Sequence, residues 1–380
     1  VTLKASALPT EEQAPIRFMV VDDSAVVRGL ISRALQNDAR FNLVASASDG
    51  KMAIEVAERV QPEVILLDIE MPEMDGLTAL PTLRNVAPHA KIMIVFAFNE
   101  KHAETAMQAL KLGALDIMTK PSSQDAATME DFFGTLRQKI RVLAGRSKSS
   151  PLAAEAAVAG AESSASPTVV PLPMPEAEAT PAVTPSKQFV KPYAIAIASS
   201  TGGPQALLTL FENLRQTKLT VPVFITQHMP EGFTATFAQH LAKASGIPCF
   251  EAKENQVVQS GAIYIAPGDY HMTLVKRLHE VVIKLNQDAP ENYCRPSADP
   301  MLRSLVPIYG EHLMLIVLTG MGADALAGAR EVVKAGGYVV AQDRASSVVW
   351  GMPKAVVEAK LVHAELPLAE IPELIARAVK

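Results

Sequence analysis

Ala194-Ile195-Ala196-Ile197-Ala198-Ser199-Ser200-Thr201-Gly202-Gly203-Pro204 is the stretch on which the reading of this chain turns. Five small or apolar residues without polar alternation read as a strand buried on both faces. Two serines, a threonine and two glycines then turn the chain, and a helix follows from Gln205. A strand that feeds a tight turn and a helix is one unit of a parallel α/β sheet. The N-terminus of that helix offers free N–H groups to developing negative charge. No Gly-Lys-Ser/Thr follows the glycines, so a nucleotide-phosphate loop is a poor reading. Ser200 stands instead as a candidate nucleophile.

A serine nucleophile needs a base, an acid to orient that base, and a place for the oxyanion. Downstream, residues 221–226 read as a second strand that leads to Gln227-His228-Met229-Pro230. Residues 313–318 read as a third, leading to Thr319-Gly320-Met321-Gly322-Ala323-Asp324. Ser200, His228 and Asp324 would thus gather at the carboxyl ends of strands in one sheet, where open α/β sheets collect functional groups. Residues 263–265 and 281–285 read as a meander.

The first third of the chain carries a different constellation. Residues 17–21 read as a strand ending in Asp22-Asp23. The run 64–67 reads as a buried strand ending in Asp68, and 91–98 repeats the pattern. Residues 25–35 place Val26, Val27, Leu30, Ile31, Ala34 and Leu35 on one helical face. Lys120-Pro121 follows the small-residue segment Gly113-Ala114-Leu115-Asp116. Three carboxylates at one sheet edge repel one another and call for a hard cation such as Mg²⁺. That cation and Lys120 could neutralise a phosphoryl group arriving at Asp68, which would accept it as a nucleophile.

Composition sets the organisation. At 380 residues the chain is longer than one core usually accommodates. Residues 151–187 hold seven prolines and ten alanines and no aromatic residue, the mark of a linker. The expected division is a disordered tail over 1–15, a first domain over 16–135, a linker over 136–189 and a second domain over 190–380. Residues 1–15 lack the basic flank and apolar stretch of a secretion signal. A net charge of −5 argues against broad nucleic-acid binding, and no apolar run approaches a membrane span. Cys249 and Cys294 lack metal-ligand spacing and read as two ordinary buried thiols. A cytoplasmic monomer is the expectation.

Asp22-Asp23-Ser24, the run from Leu67 to Gly76, and Lys120-Pro121 together resemble the response-regulator receiver family. The resemblance implies a flavodoxin-like five-stranded parallel sheet, Asp68 as phospho-acceptor, Asp22, Asp23 and Asp68 around Mg²⁺, and Lys120 on the phosphoryl group. Receivers usually carry Ser or Thr at the end of the fourth strand, where this chain has Phe96.

The second block resembles the chemotaxis protein-glutamate methylesterase family. The landmarks are Ala198 to Pro204, Gln227 to Pro230, Ile265-Ala266-Pro267-Gly268 with His271, Cys294-Arg295-Pro296-Ser297, Leu318 to Gly322, and Gly351-Met352-Pro353. The resemblance implies a Rossmann-like doubly wound α/β domain with an antiparallel hairpin. It also implies Ser200 as nucleophile, His228 as base and acid, Asp324 as orienting group, the Met321 N–H at the oxyanion and Thr201 as a supporting hydrogen-bond partner. Ala325 stands where that family often has glycine.

The function so implied is hydrolysis of glutamate γ-methyl esters on methyl-accepting chemoreceptors, with glutamine deamidation beside it, under phosphorylation by a chemotaxis histidine kinase. The esterase itself would need no cofactor. The rivals are a binding protein with a silent esterase domain and a constitutive esterase with a non-switching receiver, which Phe96 favours. A DNA-binding output lacks its basic helix-turn-helix.

Overall fold

The computed structural model describes residues 14–97, 102–121, 126–146 and 190–380. Residues 1–13 of the expected tail and 147–189 of the expected linker lie outside them.

The first domain alternates strictly: β1 (Ile16–Val21), α1 (Ala25–Gln36), β2 (Phe41–Ala47), α2 (Gly50–Val60), β3 (Val64–Leu67), α3 (Gly76–Val86), β4 (Lys91–Ala97), α4 (His102–Lys111), β5 (Asp116–Lys120) and α5 (Ala126–Leu143). The strands pair in parallel in the order β2-β1-β3-β4-β5. Helices cover both faces, so β3 needs four consecutive apolar residues, and all four are buried. The loops cap the helices they feed. Ser24, Asp49 and Asp75 each accept a hydrogen bond from a backbone N–H three residues on.

Two expectations need correction. α5 runs past position 135 to Leu143, because Leu136, Ile140 and Leu143 continue its buried stripe. In α1, Ile31 and Leu35 are buried, but Val26 is 68% exposed and Leu30 40%. The apolar face is wider than the sheet beneath it.

The second domain comprises β6 (Ala194–Ser199), α6 (Gly203–Asn213), β7 (Val223–Gln227), α7 (Phe233–Ser245), β8 (Cys249–Glu251), β9 (Ile263–Ile265), β10 (His271–Arg277), β11 (Glu280–Asn286), α8 (Ala298–Tyr309), β12 (Leu313–Val317), α9 (Leu326–Lys334), β13 (Tyr338–Gln342), α10 (Met352–Glu358), β14 (Ala364–Leu366) and α11 (Ile371–Ala378). Seven strands form a parallel sheet in the order β14-β13-β12-β6-β7-β9-β8. The chain builds one side of β6 and then crosses to the other, so the end of β6 is the topological switch point where such sheets place ligands. β10 and β11 form the expected antiparallel hairpin. The meander is corrected in part: Ile263–Ile265 pairs in parallel with β7 inside the main sheet. Its three side chains are all buried, which a half-exposed meander strand would not allow.

The two domains touch along α4 and the entry to β5 on one side and α6 and α7 on the other. One apolar cluster takes in Phe96, Met107 and Leu110 of the first domain and Phe233 and Phe237 of the second. Phe96 meets Phe233 edge-on, with ring centroids 5.7 Å apart. Among the described residues no helix is long and apolar enough to cross a membrane.

Candidate active site

β6 and β7 are neighbours in register, with Ser199 opposite Gln227. Both strands end on that pair, so the next residues, Ser200 and His228, lie side by side. Side chains alternate along a strand. Ser199 turns inward to bond Gln227 Oε1 at 2.7 Å, and Ser200, 5% exposed, begins the turn. Gln227 Nε2 donates to the carbonyls of both Ser200 (3.0 Å) and His228 (3.1 Å), tying the two turns together. Gly202 (φ 77°) closes the turn in a left-handed conformation that favours glycine, and α6 starts at once. The loop after β12 lies against the same turn. A Cβ on Gly320 would come within 3.0 Å of both the N and the Cβ of Ser200, so only glycine lets the segment carrying Met321 approach so closely.

Asp324 closes the group. Its Oδ2 lies 2.7 Å from Nε2 of His228. The carboxylate is 1% exposed and accepts further bonds from the Ser297 hydroxyl, the Ala298 and Asp299 N–H groups and the Asn292 amide. The N-terminus of α8 thus points at a buried anion, the arrangement that favours negative charge. Burial alone would raise the Asp324 carboxyl, but His228 and these donors hold it down at about 2. Burial likewise works to lower His228, and the Cys294 sulfur and the Asp324 carboxylate outweigh it and raise the imidazole. Ala325 adopts φ 74°, a left-handed conformation that costs an alanine about 1–2 kcal/mol. The missing glycine is therefore absorbed as local strain while Asp324 keeps its bonds.

Several contributors were not legible as such. Ser297 precedes α8 as a helix cap would, yet its side chain bonds Asp324 and not the helix. His271 of β10 accepts from the Ser297 N–H at 3.2 Å, so the hairpin braces the loop that braces the acid. Cys294 is half-buried and not an ordinary core thiol: its Sγ lies 3.4 Å from Nδ1 of His228. Nothing in its local pattern announces this.

Thr201 reaches elsewhere. Its hydroxyl donates to Oδ2 of Asp116 in the first domain at 2.6 Å, and Lys139 bonds the same oxygen. The Gly202 N–H donates to the Leu115 carbonyl at 3.0 Å, and Gln205 Nε2 to the carbonyls of Leu110 and Ala114. The first domain therefore grips the turn next to Ser200.

At the far sheet edge, Asp22, Asp23 and Asp68 bring carboxylate oxygens within 4.8 Å of one another. Lys120 Nζ bonds both Asp22 and Asp68. Burial raises the Asp68 carboxyl to about 6 against the pull of Lys120. An all-oxygen set of three carboxylates suits a hard divalent cation. Phe96 stands at the end of β4, one residue short of Ala97, with no hydroxyl to offer.

The fold and the two sites define a receiver joined to a doubly wound α/β domain that gathers Ser200, His228 and Asp324 at its switch point. Residues 18–129 match the response regulator receiver domain family and residues 195–375 the CheB methylesterase family. The chain is 44% identical over 371 residues to a protein-glutamate methylesterase/protein-glutamine glutaminase of Rhodospirillum centenum, covering 96% of this chain and 94% of that one. It is 46% identical to the protein of that name from Azospirillum brasilense, covering 94% and 91%. Among solved structures, the Thermotoga maritima CheB methylesterase catalytic domain is 37% identical and covers 50% of this chain and all of that one, with a TM-score of 0.48. The chain belongs to the protein-glutamate methylesterase family of chemotaxis response regulators.

Proposed function

We propose that this chain is a cytoplasmic, phosphorylation-controlled enzyme that hydrolyses glutamate γ-methyl esters on chemoreceptors and deamidates receptor glutamines, serving adaptation. The observation that carries the reading is the His228–Asp324 pair at 2.7 Å beside Ser200 at the switch point of the sheet. Asp324 accepts the Nε2 proton of His228, so that Nδ1, in the unprotonated form, is the base. Ser200 Oγ attacks the ester carbonyl as its proton passes to Nδ1. The oxyanion is held by the Met321 N–H, with the positive end of the α6 dipole beside it. The imidazolium then protonates the leaving oxygen and methanol departs. Water, deprotonated by His228, attacks the acyl-enzyme and frees the glutamate carboxylate and Ser200. With glutamine the leaving group is ammonia. Thr201 supports the turn.

Control comes from the receiver. A chemotaxis histidine kinase supplies the phosphoryl group, and Asp68 accepts it. Asp22, Asp23 and Asp68 would hold Mg²⁺, which would offset the charge gathered there. Lys120 exchanges its two carboxylate partners for a phosphoryl oxygen. The bonds from Thr201, Gly202 and Gln205 to the receiver favour a resting state in which the receiver restrains the esterase turn. Methanol release from methylated receptors, with and without acetyl phosphate, tests both halves. A Ser200→Ala chain that releases methanol at the normal rate sinks the catalytic reading. Equal rates with and without phosphodonor sink the regulatory one.

A further inference from the structure

With Asp324 on Nε2, the nitrogen of His228 that can serve as base is Nδ1. Its hydrogen-bond partner in this structure is the sulfur of Cys294, at 3.4 Å, and not the hydroxyl of Ser200. The sulfur is held there by a segment with little freedom. The Cys294 N–H donates to the Glu291 carbonyl, and the Asn292 amide bonds Asp299 and Asp324. Arg295 bonds Asp269 and two backbone carbonyls, and Ser297 bonds Asp324. The loop that satisfies the acid thus also aims a thiol at the base. A thiol is far more acidic than a serine hydroxyl, so it shares its proton with an imidazole more readily.

We infer that Cys294 is a positioning residue that competes with Ser200 for Nδ1 of His228, so that turnover begins only when the serine hydroxyl displaces the sulfur. The inference rests on the assignment of Ser200, His228 and Asp324 as nucleophile, base and acid. It has two consequences. Removing the sulfur frees the base, so kcat rises while KM, set by receptor docking, holds. A thiol engaged with a basic nitrogen is also nucleophilic. Towards iodoacetamide, the S–C bond forms and the C–I bond breaks. Iodide leaves, and the thiol proton passes to Nδ1 and then to solvent.

The test uses the full chain with acetyl phosphate present. Methanol release gives kcat and KM, and mass spectrometry follows carbamidomethylation of Cys294 and Cys249. The Cys249 thiol, pushed up to about 12 by burial, serves as the internal reference. We expect Cys294→Ala to raise kcat about threefold to tenfold with KM within about twofold, and Cys294→Ser to fall between it and the parent. Labelling of Cys294 should slow at least about tenfold in His228→Gln, while labelling of Cys249 stays unchanged. Labelling of Cys294 that does not slow in His228→Gln overturns the inference, whatever kcat does. So does a folded Cys294→Ala chain whose kcat does not rise. If that variant fails to fold, the Cys294→Ser kinetics and the labelling decide. A Ser200→Ala chain that keeps its activity overturns the underlying assignment instead, so the two failures are told apart.

Discussion

Thr201, one residue beyond the proposed nucleophile, donates its hydroxyl proton to Asp116 of the receiver at 2.6 Å. Both partners are buried, and Lys139 shares the accepting oxygen. A hydrogen bond to a charged group is worth about 1.5–3 kcal/mol. Replacing Asp116 by Asn removes the charge but keeps the shape. Methanol release by the unphosphorylated full chain should rise by about tenfold, the lower end of that range, and the phosphorylated rate should hardly change. An unchanged resting rate would mean that this bond does not restrain the site.

Phe96 invites a second substitution. It stands where a hydroxyl usually reports phosphorylation, and its ring is packed edge-on against Phe233 of the esterase. The edge-on pair is worth about 0.5–1.5 kcal/mol beyond its burial. Phe96→Thr should supply the missing hydroxyl and loosen the domain contact. Its resting activity should exceed that of the parent, and its ratio of rates with and without acetyl phosphate should be larger. A ratio no larger than the parent's would place the phosphorylation response elsewhere in the receiver.

The proposed base depends on its proposed acid. Asp324→Asn leaves the volume but presents an amide where six donors converge. Removing the orienting acid of a Ser-His-Asp triad costs about 10⁴ in kcat. The same loss should occur here, with a urea midpoint lowered by the facing donors that lose their acceptor. The measurement is kcat beside equilibrium unfolding. A loss of only a few fold would show that His228 is oriented by something else.

Asp68 sets a pH dependence. Its carboxyl lies near 6, raised by burial, so the nucleophilic carboxylate is the minority form below that pH. Phosphorylation by acetyl phosphate at low Mg²⁺ should therefore fall as pH drops through about 6. Saturating Mg²⁺ favours the ionised form and should move the half-point lower. Chelation with EDTA should abolish labelling throughout. A flat profile between pH 5 and 7 at low Mg²⁺ would contradict the raised carboxyl.

Both sheets were legible because buried parallel strands carry their signal locally: 64–67 and 313–317 contain no polar residue to compete with the reading. The placement of Ser200, His228 and Asp324 at one end of the sheet was legible because each directly follows a strand or a glycine-rich turn after one. Ile263–Ile265 misled because three residues hold no period that separates an edge meander from a central strand. The contacts of Asp116, Ser297 and Cys294 were not legible at all. Each acts on a partner more than 25 positions away, and sequence spacing carries no information about which loop will fold back over which strand end.

The hairpin of β10 and β11 carries no proposed chemical group, yet its His271 holds the N–H of Ser297, whose hydroxyl holds Asp324. The carboxylate's aim therefore depends on a ribbon outside the main sheet, and that ribbon acts as a splint. Warming or mutation that loosens it would blunt turnover while the seven-stranded sheet stayed intact, so in this enzyme loss of activity on heating should precede loss of fold.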